Sequence, residues 1–382
     1  MLHIDWRQSQ VDVDTFLRDY WQRKPLFIKG GLAQFAPQLD PDELAGLACE
    51  EEVESRIITE RSDPPWQLQR GPFTDDDFGA LPETHWTLLV QSVDVYDDSV
   101  AALLEAFRFI PQWRLDDVMV SFAVEGGSVG PHFDQYDVFL VQGEGRRHWR
   151  IGQHCDHTSP RLEGTPLHIL RDFEEQDSFV CEPGDVLYLP PGVAHYGVAM
   201  EDCMTFSVGF RAPSVGEVLD QFAHAAGEAS HASQRFVDAR QQHDSHSGAI
   251  AGADIATLRR MITEQLSDDR AIADWFGRFM TECKHPLEAL QEPLLAREIP
   301  DLLAEHELTY APGARMAYFV SEKGVQLFAN GGALQLTAEQ AERFTALADR
   351  LPQAIETLQN TQHEADHAVI AELINLGSLT IE

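Results

Sequence analysis

Between residues 113 and 212 apolar and polar positions alternate, whereas on either side apolar residues recur at helical spacing. Alternation is the period of a strand and the longer spacing that of an amphipathic helix, so the chain reads as a β-rich middle flanked by helix-bearing ends. In DDVMVSFAVEGG, Val118, Val120, Phe122 and Val124 share one face of a strand, and Asp117, Met119, Ser121 and Ala123 share the other. The first face is core. The second combines an acid, a hydroxyl and a thioether, the make-up of a polar pocket wall. YDVFLVQGEGRRHWRIG predicts a β-hairpin turning at Gly143 to Gly145, and SFVCEPGDVLYLPPGVAHYGVAM two strands around Pro183-Gly184-Asp185. MTFSVGFRAP closes the series. Short strands joined by Gly and Pro turns predict a double-sheet jelly roll.

Upstream, Phe16, Leu17, Tyr20 and Trp21 predict a helix that leads past Pro25 into a first strand, LFI. Downstream of Arg211 the composition shifts to helix formers and a polar stretch, DARQQHDSHSGAIAGAD. Ile255, Leu258, Ile262 and Leu266 mark one amphipathic helix, and Ile272, Trp275, Phe276 and Phe279 a second behind the capping sequence SDD. Stripes of this strength bury themselves against a second subunit or against the jelly roll. The last hundred residues read helix, strands (RMAYFVS, GVQLFAN, ALQLT), then helix, a winged-helix-like order. The expected class is α+β, with a catalytic jelly roll at 1–212, a helical region at 213–285 and a winged-helix-like domain at 286–382.

Charge narrows the partners. The 382 residues carry 63 acidic and 28 basic side chains, a formal charge of −35. Such a surface repels phosphate backbones and anionic lipid and favours a basic protein, although acidity also serves solubility. The winged-helix-like tail has 15 acidic and 5 basic residues from position 286 onward, so nucleic-acid binding is not expected despite its element order. Five cysteines without a C-x-x-C pair fit a reducing cytosol. The N-terminus lacks a signal-peptide pattern, and no run approaches the ~18 apolar residues of a membrane span. A cytoplasmic, membrane-free protein is expected.

The candidate chemistry lies in GPHFDQYDVF and PGVAHYG. Positions i and i+2 of a strand project to one side, so His132 and Asp134 can reach one ion, and the strand ending in PPGVAH delivers His195 to the same place. Two histidines and a carboxylate leave coordination sites open, the arrangement that lets Fe(II) take a bidentate co-substrate and O₂ together. The nearby HCDH, with His154, Cys155 and His157, and His168 beyond it, has zinc-capable side chains but no common structural-zinc spacing, and is expected to be a surface loop.

These motifs, with FLRDYWQRKPLFIKGG, resemble the JmjC-type 2-oxoglutarate oxygenases, and among them the bacterial ribosomal oxygenases. The resemblance extends to the layout of jelly roll, helical dimerisation region and winged-helix-like tail. It implies a dioxygenase that uses Fe(II), 2-oxoglutarate and O₂, with His132, Asp134 and His195 as metal ligands. Arg147 matches the family's basic residue for the distal carboxylate of 2-oxoglutarate, with Arg146 on the other face and Ser121 nearby; a solvent-facing hairpin charge is the alternative for Arg147. The implied substrate is an arginine of a large-subunit ribosomal protein, ribosomal protein sixteen, hydroxylated at its β-carbon (C3). Asp117, Met119, Tyr136 and Ser207 are the candidates to hold its side chain. Two rivals stay open: the same chemistry on another protein residue or on RNA, and a non-catalytic metal-binding cupin.

Overall fold

The computed structural model describes residues 2–60, 65–228, 235–237, 248–285 and 292–382. The core of the polar stretch, DARQQHDSHS at 238–247, falls outside them. The chain forms two compact units, Met1–Ala212 and Pro213–Glu382.

The first unit opens with α1 (Val13–Asp19), capped by the Asp12 carboxylate, which accepts the Thr15 N–H at 2.7 Å. Then follow β1 (Leu26–Ile28), α2 (Pro41–Leu47), β2 (Ser55–Glu60), β3 (Trp66–Arg70), α3 (Asp75–Gly79), β4 (Trp86–Val90), α4 (Asp98–Ala101) and β5 (Leu115–Ala123). The remaining strands are β6 (Val138–Glu144), β7 (Arg147–His154), β8 (Asp177–Cys181), β9 (Val186–Leu189), β10 (Val193–Ala199) and β11 (Cys203–Phe210). They build an eight-stranded sheet, β1-β9-β6-β11-β5-β4-β2-β3, and a three-stranded sheet, β10-β7-β8. The expected jelly roll is present.

Two local expectations do not survive. GEGRR closes no hairpin: β6 pairs with β11 and β9 in the large sheet, and β7 with β10 and β8 in the small one. Alternation reports which face a side chain takes and carries no information about the neighbouring strand. Gly145 makes the crossing possible, since its φ is +59° and a Cβ there would stand 2.1 Å from the Asp202 carbonyl oxygen. Likewise SFVCEPGDVLYLPPGVAHYGVAM forms three strands instead of two, with β9 in the large sheet between two strands of the small one.

Both faces of the large sheet are covered. On the outer face Val118, Val120, Phe139, Val141, Phe206 and Val208 pack with Phe16 of α1, whose ring centroid lies 4.9 Å from that of Tyr188 and 5.6 Å from that of Phe139. Between the sheets lie Val138, Leu140, Trp149, Ile151, Leu187 and Leu189. Asp137, fully buried, ties the N-terminal segment to this frame. Its carboxylate accepts hydrogen bonds from Tyr188 Oη (2.6 Å), Gln22 Nε2 (3.1 Å) and Arg114 Nη2 (3.2 Å). Burial pushes its carboxyl pKa up against the pull of those donors. Asp137→Ala strands the Arg114 charge and the Tyr188 hydroxyl, so it is expected to cost about 3–5 kcal/mol of stability. Denaturant titration checks this; a loss below about 1 kcal/mol means that the donors find other partners.

The second unit contains α5 (Val215–Glu228), α6 (Gly252–Gln265), α7 (Asp269–Thr281), α8 (Ile299–Glu305), β12 (Leu308–Tyr310), β13 (Met316–Ser321), β14 (Gly324–Ala329), β15 (Gly332–Leu336), α9 (Ala338–Ala348), α10 (Ala354–Gln359), α11 (Glu364–Asn375) and β16 (Leu379–Ile381). Strands β13-β14-β15 form an antiparallel sheet and β12 pairs with β16. Leu327, Phe344, Leu347, Leu358, Ile370 and Leu373 make the core. The SDD cap is real: the Asp268 side chain accepts the N–H groups of Arg270 and Ala271. Helix α7 joins the wing sheet, with Gln326 Nε2 donating to Asp274 and Arg278 Nη1 to the Gly331 carbonyl. On α6 and at its C-cap, Ile255, Leu258, Ile262 and Leu266 stay 46–55% exposed, an apolar stripe that the described residues leave uncovered. No helix among the described residues is long and apolar enough to cross a membrane.

Candidate functional site

His132 and His195 face each other as an isolated antiparallel bridge: the His132 N–H donates to the His195 carbonyl at 3.0 Å, and the His195 N–H to the His132 carbonyl at 2.8 Å. The bridge ends at His132. Residues 133–137 do not continue as a strand, so Asp134 arrives on an irregular turn, fixed by the Gly192 N–H donating to its carbonyl at 2.8 Å. Alternation therefore predicted the right juxtaposition for a reason that holds for His132 alone.

The rings are oriented for ligation. Nδ1 of His132 lies 2.9 Å from the Gly130 carbonyl, and Nδ1 of His195 lies 3.0 Å from the Val193 carbonyl. A carbonyl can only accept, so these contacts assign the proton to Nδ1 in both rings and leave Nε2 with its lone pair. Nε2 of His195 is 3.7 Å from Asp134 Oδ2, and ligand atoms of His132, Asp134 and His195 lie within 4.8 Å of one another. Burial, and then the neighbouring His132, hold the His195 pKa down at about 4, so its imidazole is neutral at neutral pH. A neutral His195 imidazole, a second imidazole whose Nδ1 is held by a carbonyl, and one carboxylate fit a divalent cation such as Fe(II). This is the only such group among the described residues. The HCDH stretch is only in part the expected surface loop: His154 ends β7 and Cys155 is buried, while the His168 ring contacts the Arg161 guanidinium.

Beyond the histidines, Arg147, Trp149 and Ile151 of β7 point inward, while Arg150 turns out and stacks on Tyr196. Arg147 is 2% exposed. Its Nη1 donates to Ser121 Oγ at 3.3 Å, its Nε has no partner, and no carboxylate pairs with it among the described residues. Burial pushes the guanidinium pKa down. A buried cation without a counter-charge is expensive to maintain, and an incoming anion relieves it. Arg147 is therefore no solvent-facing charge, and its buried guanidinium, with Nε unpaired, suits the carboxylate of a keto acid. Arg146 does face out, paired with Glu201 at 2.9 Å.

The other candidates gather on the inner face of the large sheet. Met119 stands opposite Ser207 in register, and Ser121 opposite Thr205. Asp117 is buried, and its Oδ2 accepts from Gln91 Nε2 (2.7 Å) and Ser92 Oγ (2.6 Å). Tyr136 is 44% exposed, and its phenol pKa is raised by the Asp134 charge first, then by burial and Asp117. Residue reading missed several neighbours. Gln91 and Ser92 are distant in sequence from Asp117 and carry no local signal. Arg56, whose Nη2 lies 3.6 Å from Met119 Sδ, belongs to β2, for which the sequence offered no separate expectation. Trp149 was within reach, since it has the parity of Arg147.

Comparison with known proteins agrees with this geometry. The JmjC domain family matches residues 102–218, and the ROXA-like winged helix family matches residues 264–380. The ribosomal protein uL16 3-hydroxylase of Escherichia coli strain K12 is 36% identical over 379 residues, covering 97% of this chain and 98% of that protein. The structure of YcfD, a ribosomal oxygenase from Escherichia coli, in complex with cobalt and 2-oxoglutarate, superposes with a TM-score of 0.84 at 34% identity over 100% of both chains. The same enzyme in complex with cobalt and succinic acid gives a TM-score of 0.83 over 100% of both chains. Similarity of this extent, joined to the His/Asp/His group and the buried arginine, means that the chain belongs to the ribosomal oxygenase family of JmjC-type, Fe(II)- and 2-oxoglutarate-dependent oxygenases.

Proposed function

We propose that this enzyme hydroxylates C3 of one arginine in the large-subunit ribosomal protein uL16. The observation that carries the reading is the pairing, inside one fold, of a His132/Asp134/His195 donor group with a buried Arg147 that meets no carboxylate among the described residues and, on β5, a buried carboxylate at Asp117. The first half suits a keto acid on a metal. The second half suits a cation delivered to it, and the relative of 36% identity is named for action on uL16.

In this reading His132, Asp134 and His195 hold Fe(II), which supplies oxidative decarboxylation of 2-oxoglutarate to succinate and CO₂ together with transfer of the second oxygen atom to a C–H bond. The chain's own share is positioning. Arg147 and Ser121 hold the distal carboxylate of 2-oxoglutarate. Asp117 pairs with the substrate guanidinium, Met119 and Tyr136 clamp its aliphatic stem, and Ser207, opposite Met119, offers a further hydroxyl. The residues 1–212 act as the catalytic domain, 213–285 as a dimerisation region and 286–382 as a winged-helix-like domain. The exposed stripe Ile255, Leu258, Ile262 and Leu266 supports a homodimer. The net charge of −35 supports a basic protein substrate in place of nucleic acid, and a ribosomal substrate places the enzyme in the cytoplasm.

The test is a pair of basic peptides spanning the target, one with arginine and one with lysine at the reacting position. A planar fork and a point charge are not interchangeable at a bidentate site, so succinate release is expected to fall at least about tenfold with lysine. Equal turnover of both peptides contradicts an arginine-specific pocket.

A further inference from the structure

We propose that the indole N–H of Trp149 is a second donor to the distal carboxylate of 2-oxoglutarate, beside Arg147. The proposal rests on the reading that Arg147 binds this co-substrate, and it adds a positioning residue to that site.

Strand register sets out the site. On β10, His195 stands opposite Ile151, Gly197 opposite Trp149 and Ala199 opposite Arg147. The inward positions Arg147, Trp149 and Ile151 thus run from the carboxylate end to the metal end, over about 13 Å at the usual strand rise. A five-carbon dicarboxylate and an arginine side chain share that span. Trp149 lies between the two ends, its ring 5.9 Å from the His195 ring and 5.0 Å from the guanidinium carbon of Arg147.

The orientation of the indole is set by packing. A Cβ on Gly197 would stand 2.6–2.7 Å from Cε3, Cζ3 and Cη2 alike, so the face of the six-membered ring lies on β10, and the Nε1–H bond, which lies in the ring plane, is not directed at Gly197. Trp149 is 5% exposed, and Nε1 has no hydrogen-bond partner among the described residues. Buried indole N–H groups are ordinarily paired, because an unmet buried donor loses its water without compensation. Arg147 Nε, two residues away on the same strand face, is unpaired in the same way. Two orphaned donors side by side, without a carboxylate among the described residues to meet them, make a site that an anion completes. On β8, Phe179 stands opposite Trp149 and supplies no acceptor, and Cys181, opposite Arg147, supplies only a thiol, a weak acceptor.

The measurement is calorimetric binding to the full chain, loaded with redox-silent Zn(II), of 2-oxoglutarate and of 2-oxopentanoate, which has the same carbon skeleton with a methyl group in place of the distal carboxylate. Trp149→Phe keeps an aromatic ring over Gly197 and removes the donor. It is expected to raise the Kd of 2-oxoglutarate roughly tenfold, as loss of one charge-assisted hydrogen bond does, and to leave that of 2-oxopentanoate unchanged. Unchanged 2-oxoglutarate binding, or equal weakening of both ligands, overturns the assignment and returns Trp149 to core packing. Arg147→Ala separates the two levels: if it binds 2-oxoglutarate as the wild type does, the reading beneath the proposal fails, whereas weak binding there with an unaffected Trp149→Phe overturns the tryptophan alone. A second readout needs no variant to fold. The indole N–H resonance of Trp149 in the wild-type zinc form is expected to move downfield with 2-oxoglutarate and not with 2-oxopentanoate, and a resonance that stays in place overturns the proposal.

Discussion

His132→Ala and Asp134→Ala are each expected to bring succinate formation down to background while the protein still folds. The two halves of that result have separate causes. His132 and Asp134 each supply one of three donor atoms within 4.8 Å, and a group of two does not hold a divalent ion against water at cellular concentrations. Yet both side chains are only partly buried, and apart from the single bond of His132 Nδ1 to the Gly130 carbonyl their structural bonds are made by backbone: the bridge to His195 and the Gly192 contact. Each substitution should therefore cost about 1 kcal/mol or less of stability. His195→Ala is a poorer probe, because the ring is 3% exposed and packs on Trp149. Metal titration and thermal melting on the same samples check both halves. Full turnover by either variant removes the ligand assignment.

Asp117→Asn should lower kcat/KM for the arginine substrate by about a hundredfold and leave the affinity for 2-oxoglutarate as it was. A buried carboxylate facing a guanidinium loses most of its value when its charge is removed, and breaking such pairs typically costs about 2–5 kcal/mol. Asparagine keeps an oxygen that can accept from Gln91 and Ser92, so the β4–β5 region should hold its shape. Competition assays with the arginine peptide, run beside co-substrate titrations, separate the two parameters. If kcat/KM does not change, Asp117 serves only to anchor Gln91 and Ser92.

How much of this could be read beforehand depends on the range of the interaction involved. The pocket wall was legible in DDVMVSFAVEGG because Asp117, Met119 and Ser121 are related by strand parity, a local rule. For His195 the punctuation PPGVAH pointed to the right residue for another reason: the prolines do stop β9, at Leu189, but His195 stands inside the following strand, β10, instead of at the end of one. Sheet membership was not. Nothing in GEGRR distinguishes a hairpin from a crossing between sheets, because the difference lies in β11 and β9, which occupy both edges of β6. The partners of Asp117 were hidden in the same way, since Gln91 and Ser92 come from the end of another strand. Trp149 was hidden by its ordinary appearance: an inward tryptophan reads as core until its unpaired N–H is seen next to Arg147.

Hydroxylation of one uL16 arginine at C3 is read by mass spectrometry of that protein. After incubation of purified uL16 with the enzyme, Fe(II), 2-oxoglutarate and O₂, this assignment predicts a single added oxygen, located by fragmentation on one arginine side chain, in step with succinate and absent with His132→Ala. An unmodified uL16 under conditions where 2-oxoglutarate is turned over, or an oxygen on a different residue, contradicts it.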